Sequence, residues 1–261
     1  MILAAGSELP RKHLTAREFV LEGIRDAMLN GRLVAGQELD DHALAEFFGV
    51  SRTPVREALK VLEVQGFVSH RAFSKPVVAA VSPQRIEEVF LMRIALESTA
   101  AARAALAIDQ SELKLLERCA ASCRKALQRQ DAVEWRRWNR EFHTRLSAAS
   151  GMSLLSREID SLINLSSFYS TMFWSEIPDA FAEAQMEHVY LIEACRERDA
   201  ERARKLMHDH LTASMVVQVR LAGERGVGLP EAASSETSPA SRSRKSAAPR
   251  SIAARRRSTQ G

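Results

Sequence analysis

Three histidines fall on the apolar faces of predicted helices, where a polar side chain needs an explanation. His143 shares its face with Asn139, four residues earlier, and His188 and His210 lie on the apolar sides of two later helices. The neighbouring His208 points toward the polar side of its helix. Three imidazoles and an amide that converge can form a tetrahedral or octahedral site for a divalent metal ion, with positions open to water or ligand. The alternative is that each histidine is a hydrogen-bonded core residue.

A second chemically informative group is a set of cations in GVSRTPVREALKVLEVQGF, residues 49–67. Ser51 can cap a helix over residues 52–65 by accepting a backbone hydrogen bond, and apolar residues at helical spacing predict one buried side. The residues predicted to lie outward are Arg52, Thr53, Arg56 and Lys60. A cationic helix fits the major groove of duplex DNA, where arginine can pair with guanine edges. The alternative is a solvated charged face, because Glu57 and Glu63 lie on the same helix.

Two further helices and a hairpin are predicted around the cationic helix. Residues 14–30 carry apolar side chains at three- and four-residue steps, which predicts an amphipathic helix. In DHALAEFFGV we expect a second helix with Ala43, Leu44 and Phe47 inward, and FVSH and KPVVAAV are typical of two short strands. Three helices followed by a hairpin describe a winged helix-turn-helix, whose last helix enters the DNA groove.

The histidines lie in a longer segment, from Pro83 to about Val219, that is almost wholly helix-periodic. Its predicted breaks lie near Asp109, Asp131, Gly151, Pro178 and Asp199. About six helices result, antiparallel because their links are short, and Ser111 is expected to cap the second of them. The expected fold class is therefore mainly α, with an N-terminal winged helix-turn-helix and a C-terminal all-α helical bundle.

The positive charge is concentrated at the C-terminal end of the chain. The formal net charge is +4, but residues 238–261 contain seven cations and no acid, which leaves −3 for residues 1–237. This tail is rich in Ser, Pro, Ala and Arg without periodic apolar residues, so we expect disorder; it either grips DNA phosphates or is a solvated extension. The expected domains are an extension (1–13), the winged helix-turn-helix (14–81), the helical effector-binding and dimerisation domain (82–222) and the tail (223–261).

Cysteine usage and hydropathy exclude several protein classes. The chain has three cysteines, and it shows neither a signal-peptide pattern nor a run of about 18 apolar residues. We therefore expect no disulfide framework and no membrane partner. Cys119 and Cys123, four residues apart, could chelate a metal, but two small buried thiols are the preferred interpretation.

The segment LAEFFGVSRTPVREALKVLEVQGFV resembles the signature of the GntR transcription regulators, with a nearly residue-for-residue match from Leu44 to Leu59. The resemblance implies a winged helix-turn-helix that binds operator DNA. The positions expected to contact DNA are Arg25, Ser51, Arg52, Thr53, Arg56, Lys60 and Arg71. Two departures from the family pattern are Ala35, which replaces a usual proline, and Ala72, in a wing where an Arg-Gly pair is usual.

The segments WNREFHTRLSAASG and EHVYLIEACRERDAERARKLMHDHL resemble the effector domain of the FadR-like branch of these regulators. In that branch an Asp or Asn four residues before a histidine binds a metal ion together with two later histidines. The matching positions are Asn139, His143, His188 and His210. Arg93, in LMRIALE, matches an arginine that meets the effector's carboxylate. Its alternative role is a surface ion pair with Glu97.

These observations predict a homodimeric transcriptional regulator, a repressor, that binds a palindromic operator in double-stranded DNA in the bacterial cytoplasm. Its effector is expected to be a small carboxylate held by Arg93 and a divalent metal ion, with zinc, nickel and manganese all compatible. One alternative is a regulator that senses the metal itself. The other is a metal-dependent hydrolase, since a metal with an open position can activate water. Against it, the sequence lacks HExxH, and no inward acid is expected beside the histidines, because Glu141 points away.

Overall fold

The computed structural model describes residues 14–70, 74–173 and 178–225, with side chains in the last range described from residue 186 onward. Within these ranges the chain is helical apart from one two-stranded sheet, which confirms the mainly α class and the winged helix-turn-helix at its N-terminal end. The elements are α1 (Ala16–Leu29), α2 (Asp41–Phe48), α3 (Arg52–Val64), β1 (Val68–Ser69), β2 (Val77–Val78), α4 (Pro83–Ala107), α5 (Gln110–Gln128), α6 (Ala132–Ala148), α7 (Ser153–Ser170), α8 (Pro178–Arg196) and α9 (Ala200–Glu224).

Local signals in the sequence define the first two helices. The Thr15 hydroxyl accepts from the backbone N–H of Glu18, and the Glu18 carboxylate accepts from the backbone N–H of Thr15, so α1 begins with a capping box. Asp40 caps α2 by accepting from two backbone N–H groups of the first turn. That helix ends at Gly49, where φ is +64°, a conformation that costs glycine little.

The predicted Ser51 cap is wrong. Ser51 occupies the N-cap position of α3, but its side chain makes no cap hydrogen bond. The cause is Pro54, three residues later, which has no N–H to donate at the position that an N-cap side chain usually bonds. The pyrrolidine ring fits the first helical turn without that bond, so α3 begins at Arg52 as expected.

The inward face of α2 also differs from the expectation. Phe48 is buried and Phe47 is 41% exposed, and Ala43 is exposed as well. Phe48 packs edge-on against Phe19, and its ring lies where a Cβ on Gly23 would be only 2.5 Å away. The glycine in α1 therefore makes the space that selects Phe48 rather than Phe47.

The short sheet matches the predicted hairpin. β1 and β2 pair antiparallel, with Val68 opposite Val78 and Ser69 opposite Val77. Its tip, residues 71–73, lies outside the described residues, as do residues 1–13 and the tail from residue 226 onward. The expectations for Arg71, for Ala72 and for a disordered tail therefore fall outside the part of the chain that the structure describes.

Six described helices, α4 to α9, form the second part of the chain, in the number expected. α4 and α9 pack along each other, and α5 packs against α6 and α8. Asp109, Asp131 and Asp199 cap α5, α6 and α9 with their carboxylates. The predicted Ser111 cap of α5 is wrong, because Asp109 precedes it and accepts hydrogen bonds from both the Ser111 hydroxyl and a backbone N–H of the first turn.

The three cysteines are free, buried thiols, in agreement with the preferred interpretation. Burial raises the pKa of Cys119 and of Cys195 to about 11, and it raises the pKa of Cys123 further. A thiol that stays protonated is a poor metal ligand and a poor nucleophile. No helix in the described ranges is both long and apolar enough to cross a membrane.

The two parts of the chain meet where α3 ends, at a contact that we name the α3–α7 junction (Gly66, Phe67, Leu165 and Phe168). Gly66 has a φ of +81°, and a Cβ built there would lie 2.9 Å from the guanidinium of Arg85 and 3.5 Å from Leu165. The rings of Phe67 and Phe168 lie with their centroids 5.8 Å apart. The turn that follows the cationic helix is thus packed directly against α7.

Candidate functional site

The cations predicted on α3 lie on its exposed side. Arg52, Thr53, Arg56 and Lys60 are exposed, and Ser51 at the N-cap is exposed beside them. The opposite, apolar side of α3 is buried. Lys75, near the hairpin, lines the same surface groove as Arg52, Arg56 and Lys60. We name these four basic residues the cationic face.

An acid that the sequence did not single out binds two of these cations. The carboxylate of Asp41, in the first turn of α2, accepts from Arg56 Nε at 2.6 Å and from Arg52 Nη2 at 3.0 Å. The bond from Arg56 holds the pKa of Asp41 below its usual value, and Arg52 adds to the effect. The two arginines are therefore oriented together, and they are partly neutralised by a charge that also faces outward.

Arg25, expected against the DNA backbone, is engaged within the protein. Its guanidinium pairs with Glu22 on α1 and donates to the side chain of Gln65 at 3.0 Å, just after α3. Its side chain is 14% exposed. In this arrangement Arg25 ties α1 to the end of α3 rather than presenting a free charge.

The predicted histidine cluster is formed. His143, His188 and His210 are buried, and one nitrogen from each ring can be chosen so that all three lie within 4.8 Å of one another. The helices α6, α8 and α9 supply one histidine each. His208, expected to point away, is exposed and hydrogen-bonds its neighbour Asp209.

Two of the ring nitrogens in the cluster face each other at short distance. Nε2 of His143 and Nε2 of His210 are 3.3 Å apart, while each Nδ1 lies within 2.8 Å of a carboxylate oxygen, from Glu97 and Glu187 respectively. A neutral imidazole that donates from Nδ1 has only a lone pair at Nε2. Burial lowers the pKa of His143 to about 4, so its ring is neutral. If both rings donate from Nδ1 to their carboxylates, two lone pairs face each other here, and a cation between them would remove the repulsion.

The spacing and the unpaired atoms suit a metal ion. Two nitrogens bound to one tetrahedral zinc ion at about 2.0–2.1 Å would be about 3.3–3.4 Å apart. His188 is fully buried, and among the described residues neither of its nitrogens has a hydrogen-bond partner. Its ring stacks on Phe142 with centroids 4.0 Å apart. The Oδ1 atom of Asn139 is also buried without a partner. Unpaired buried polar atoms are costly, so a ligand-binding role accounts for them better than a core role.

The expectation that no inward acid lies beside the histidines is wrong. Glu97 is 2% exposed, and its two oxygens accept from Arg93 Nε at 2.6 Å and from His143 Nδ1 at 2.8 Å. Burial opposes ionisation, but Arg93 and then His143 hold the pKa of Glu97 at about 2. Carboxylates on the outer nitrogen of a metal-binding histidine orient its ring and raise its basicity. Glu97 and Glu187 suit that supporting role, and Glu141 pairs with Arg145 elsewhere on α6.

Of the two roles considered for Arg93, the structure contains the ion pair with Glu97. This i,i+4 pair is buried rather than on the surface. The Nη1 of Arg93 donates to Ser166 on α7 at 2.9 Å, and its Nη2 is buried without a partner. Arg93, Asn139, His143 and His210 line one cavity of about 80 Å³ between α4, α6, α7, α8 and α9.

Two family models match this chain, one over each part. Residues 16–72 match the model of bacterial regulatory proteins of the gntR family, and residues 88–213 match the FCD domain. The chain belongs to the GntR family. It is therefore a DNA-binding transcriptional regulator with an FCD effector domain, and it is not an enzyme, which removes the hydrolase alternative. Three of the four residues of the cationic face of this GntR regulator lie in the first match, and its histidine cluster lies in the second.

The GntR regulator is similar to proteins named HTH-type transcriptional regulators. It is 32% identical over 130 residues to an HTH-type transcriptional regulator from the TAR-I ttuE-ttuC' intergenic region of Agrobacterium vitis, covering 49% of this chain and 76% of that protein. It is 25% identical over 191 residues to the HTH-type transcriptional repressor RspR of Escherichia coli, and the match covers 72% of this chain and 82% of RspR. The solved structure of E. coli McbR/YncC shares its fold, with a TM-score of 0.72 and 23% sequence identity. The match covers 80% of this chain and 99% of that one.

Proposed function

We propose that this GntR regulator is a homodimeric repressor that binds a palindromic operator and is controlled by a small organic acid bound at a divalent metal site in the FCD domain. The observation that supports the effector site is the close approach of His143 Nε2 and His210 Nε2, at 3.3 Å, in a cavity that is also lined by Arg93, whose Nη2 has no hydrogen-bond partner among the described residues. The match covers 82% of RspR, and RspR is named a repressor. This supports repression rather than activation of transcription by the present protein.

The DNA contacts are assigned to the exposed side of α3. Arg52 and Arg56 can pair with base edges in the major groove, and Ser51, Thr53 and Lys60 can bind phosphates. Two copies related by a two-fold axis would place two α3 helices on the two half-sites of a palindrome. Arg25 would reach a phosphate only by exchanging its bond to Gln65, so its contribution is the smallest of the set.

The metal and Arg93 together fit a carboxylate. The protein ligands would be His143, His188 and His210, with Asn139 as a neutral fourth; zinc, nickel and manganese all accept nitrogen and oxygen ligands. A bound divalent ion would supply an open coordination position for one carboxylate oxygen. The free Nη2 of Arg93 can donate a charge-assisted hydrogen bond to the same group. A volume of 80 Å³ corresponds to roughly five to eight water-sized spheres, so the effector is a short acid rather than a long acyl chain.

α7 offers a route from the cavity to the DNA-binding domain. On one side its Ser166 accepts from Arg93, and on another its Leu165 and Phe168 pack at the α3–α7 junction. An acid that draws Arg93 away from Ser166 would remove a hydrogen bond that holds α7 in place. Because α7 packs at the α3–α7 junction, a shift of α7 would reach the end of α3. The operator affinity would change by the difference between the effector's affinities for the two arrangements.

The test replaces His188 by Ala and uses His208→Ala as the matched control, because His208 lies on the neighbouring helix α9 and is exposed. Metal content is measured by elemental analysis, and operator binding by band shift on duplexes selected from random DNA. We expect His188→Ala to lose metal and the response to carboxylic acids together, while effector-free binding persists. His208→Ala is expected to behave as wild type.

Other outcomes separate the alternatives. A response to metal alone, without any acid, would identify a metal-sensing regulator. A wild-type protein that contains no metal and binds none on titration, yet responds to an acid, would reduce the histidines to a polar lining of the cavity.

A further inference from the structure

The cavity contains a second arginine that nothing in the metal site accounts for. Arg136, on α6, lines the cavity with Arg93, is 7% exposed, and has a buried Nε without a hydrogen-bond partner in the part of the chain that the structure describes. Burial lowers its pKa, and among the described side chains only Asp131 opposes this, through space rather than by a bond. A buried cation without a partner is costly, and proteins retain one where a ligand supplies the missing charge.

The position of Arg136 on its helix directs it to the ligand. It precedes Asn139 by three residues and His143 by seven, so the three lie along one side of α6. At 1.5 Å per residue, Arg136 is about 10 Å along the helix axis from His143. Along the axis of α6 it therefore lies well away from His143, beyond Asn139. Gln218, whose Oε1 is also buried without a partner, lines the same cavity from α9.

The charges in the cavity distinguish the two arginines. Arg93 is already neutralised by the buried carboxylate of Glu97, and a single acid group bound by it would also face the metal. Arg136 has no hydrogen-bonded carboxylate among the described residues, and Asp131 acts on it only through space. An effector with one carboxylate would bind the metal and Arg93, and it would leave Arg136 buried without an anionic partner.

We propose that the effector carries two anionic groups, and that Arg136 binds the second while Arg93 and the metal bind the first. The ligand class is a short dicarboxylate. This inference rests on the proposed function, because it needs the metal end of the cavity to hold the first carboxylate. Arg136 would then determine specificity, by rejecting monocarboxylates of the same length.

The test compares acids that differ by one carboxylate. Metal-loaded, full-length protein is titrated calorimetrically with saturated and 2-hydroxy acids of three to six carbons, each diacid paired with its monoacid, such as succinate with butyrate. We expect wild type to bind one diacid at least roughly tenfold more tightly than its monoacid, since each charge-assisted bond contributes on this scale. Arg136→Gln is expected to abolish that preference and to leave monoacid binding unchanged.

Two further variants test whether the role of Arg136 is purely structural. Arg137→Gln is the matched control, because Arg137 is adjacent, 62% exposed and paired with Glu134 at the surface; it is expected to bind like wild type. Arg136→Met removes the unpaired buried charge while keeping an apolar stem, so the effector-free protein is expected to melt no lower than wild type. If Arg136 only supported the fold, this variant would melt lower and bind all acids more weakly.

The outcomes distinguish this inference from the function on which it rests. Equal binding of diacids and monoacids by wild type, unchanged in Arg136→Gln, overturns the role of Arg136 and leaves the acid-controlled regulator standing. Absence of binding by every acid of the panel to metal-loaded wild type overturns both.

Discussion

Asp41 is expected to restrain the regulator's attraction to DNA, and Asp41→Asn tests this. The carboxylate binds both arginines that we assign to base edges, and it places a negative charge on the surface that would face the phosphates. Asparagine keeps the shape and the helical position but removes the charge. The substitution therefore frees Arg52 and Arg56 for DNA and ends the repulsion between Asp41 and phosphate.

The size of the expected gain in DNA affinity follows from the solvent exposure of the two arginines that Asp41 binds. The side chains of Arg52 and Arg56 are 52% and 61% exposed, so surface values apply, about 0.2–1 kcal/mol for each ion pair. Two such pairs sum to about 0.4–2 kcal/mol, which is roughly a 2- to 30-fold change in affinity for each subunit. We expect Asp41→Asn to bind duplex DNA without an operator more tightly by a factor in this range.

The assay is fluorescence anisotropy with a labelled duplex that lacks the operator, at two salt concentrations. Glu57→Gln on α3 is the control, because it removes the same charge from an exposed residue that has no ion pair among the described residues. Asp41→Asn is expected to increase the affinity for this duplex more than Glu57→Gln does. Unchanged or weaker binding to unrelated DNA would refute the reasoning, and Asp41 would then be a residue that orients the arginines for the operator.

Two other substitutions have definite expected outcomes. Arg56→Ala is expected to abolish specific operator binding in a band-shift assay while the melting temperature stays near wild type, because a bidentate base contact contributes about 1–3 kcal/mol and a dimer would lose two. Full operator affinity would show that Arg56 reads no base. Glu97→Gln is expected to lower the free energy of unfolding by about 3–5 kcal/mol, since it leaves Arg93 buried without its counter-charge. It is also expected to weaken metal binding by roughly 10- to 100-fold through His143, whereas the exposed Glu87→Gln on the same helix changes neither.

Helical periodicity was sufficient to place the three histidines. Apolar residues three and four positions apart define which side of a helix is buried, so His210 could be separated from His208 without a structure. The same argument placed the cations of α3 outward. The match to a specific DNA-binding signature then made the winged helix-turn-helix predictable from the segment around Ser51 alone.

The acids around these sites could not be found in that way. Glu97 lies four residues after Arg93, a spacing typical of a surface ion pair, and only the packing of α4 against other helices makes the pair buried. Asp41 is 11 and 15 residues from the arginines that it binds, a separation that no local pattern encodes. Arg136 was missed because a lone arginine on an amphipathic helix gives no signal until the cavity beside it is known.

The α3–α7 junction limits how far the DNA-binding domain of this regulator is an exchangeable module. A biosensor that joins its effector domain to a foreign winged helix-turn-helix would have to keep a glycine at position 66, where an added Cβ would meet Arg85 and Leu165. It would also need an aromatic residue at position 67 to fill the space beside Phe168. A graft of the three helices alone, ending before residue 66, retains both residues and the native hairpin, so the boundary for such chimeras lies at the end of α3 rather than in the link before α4.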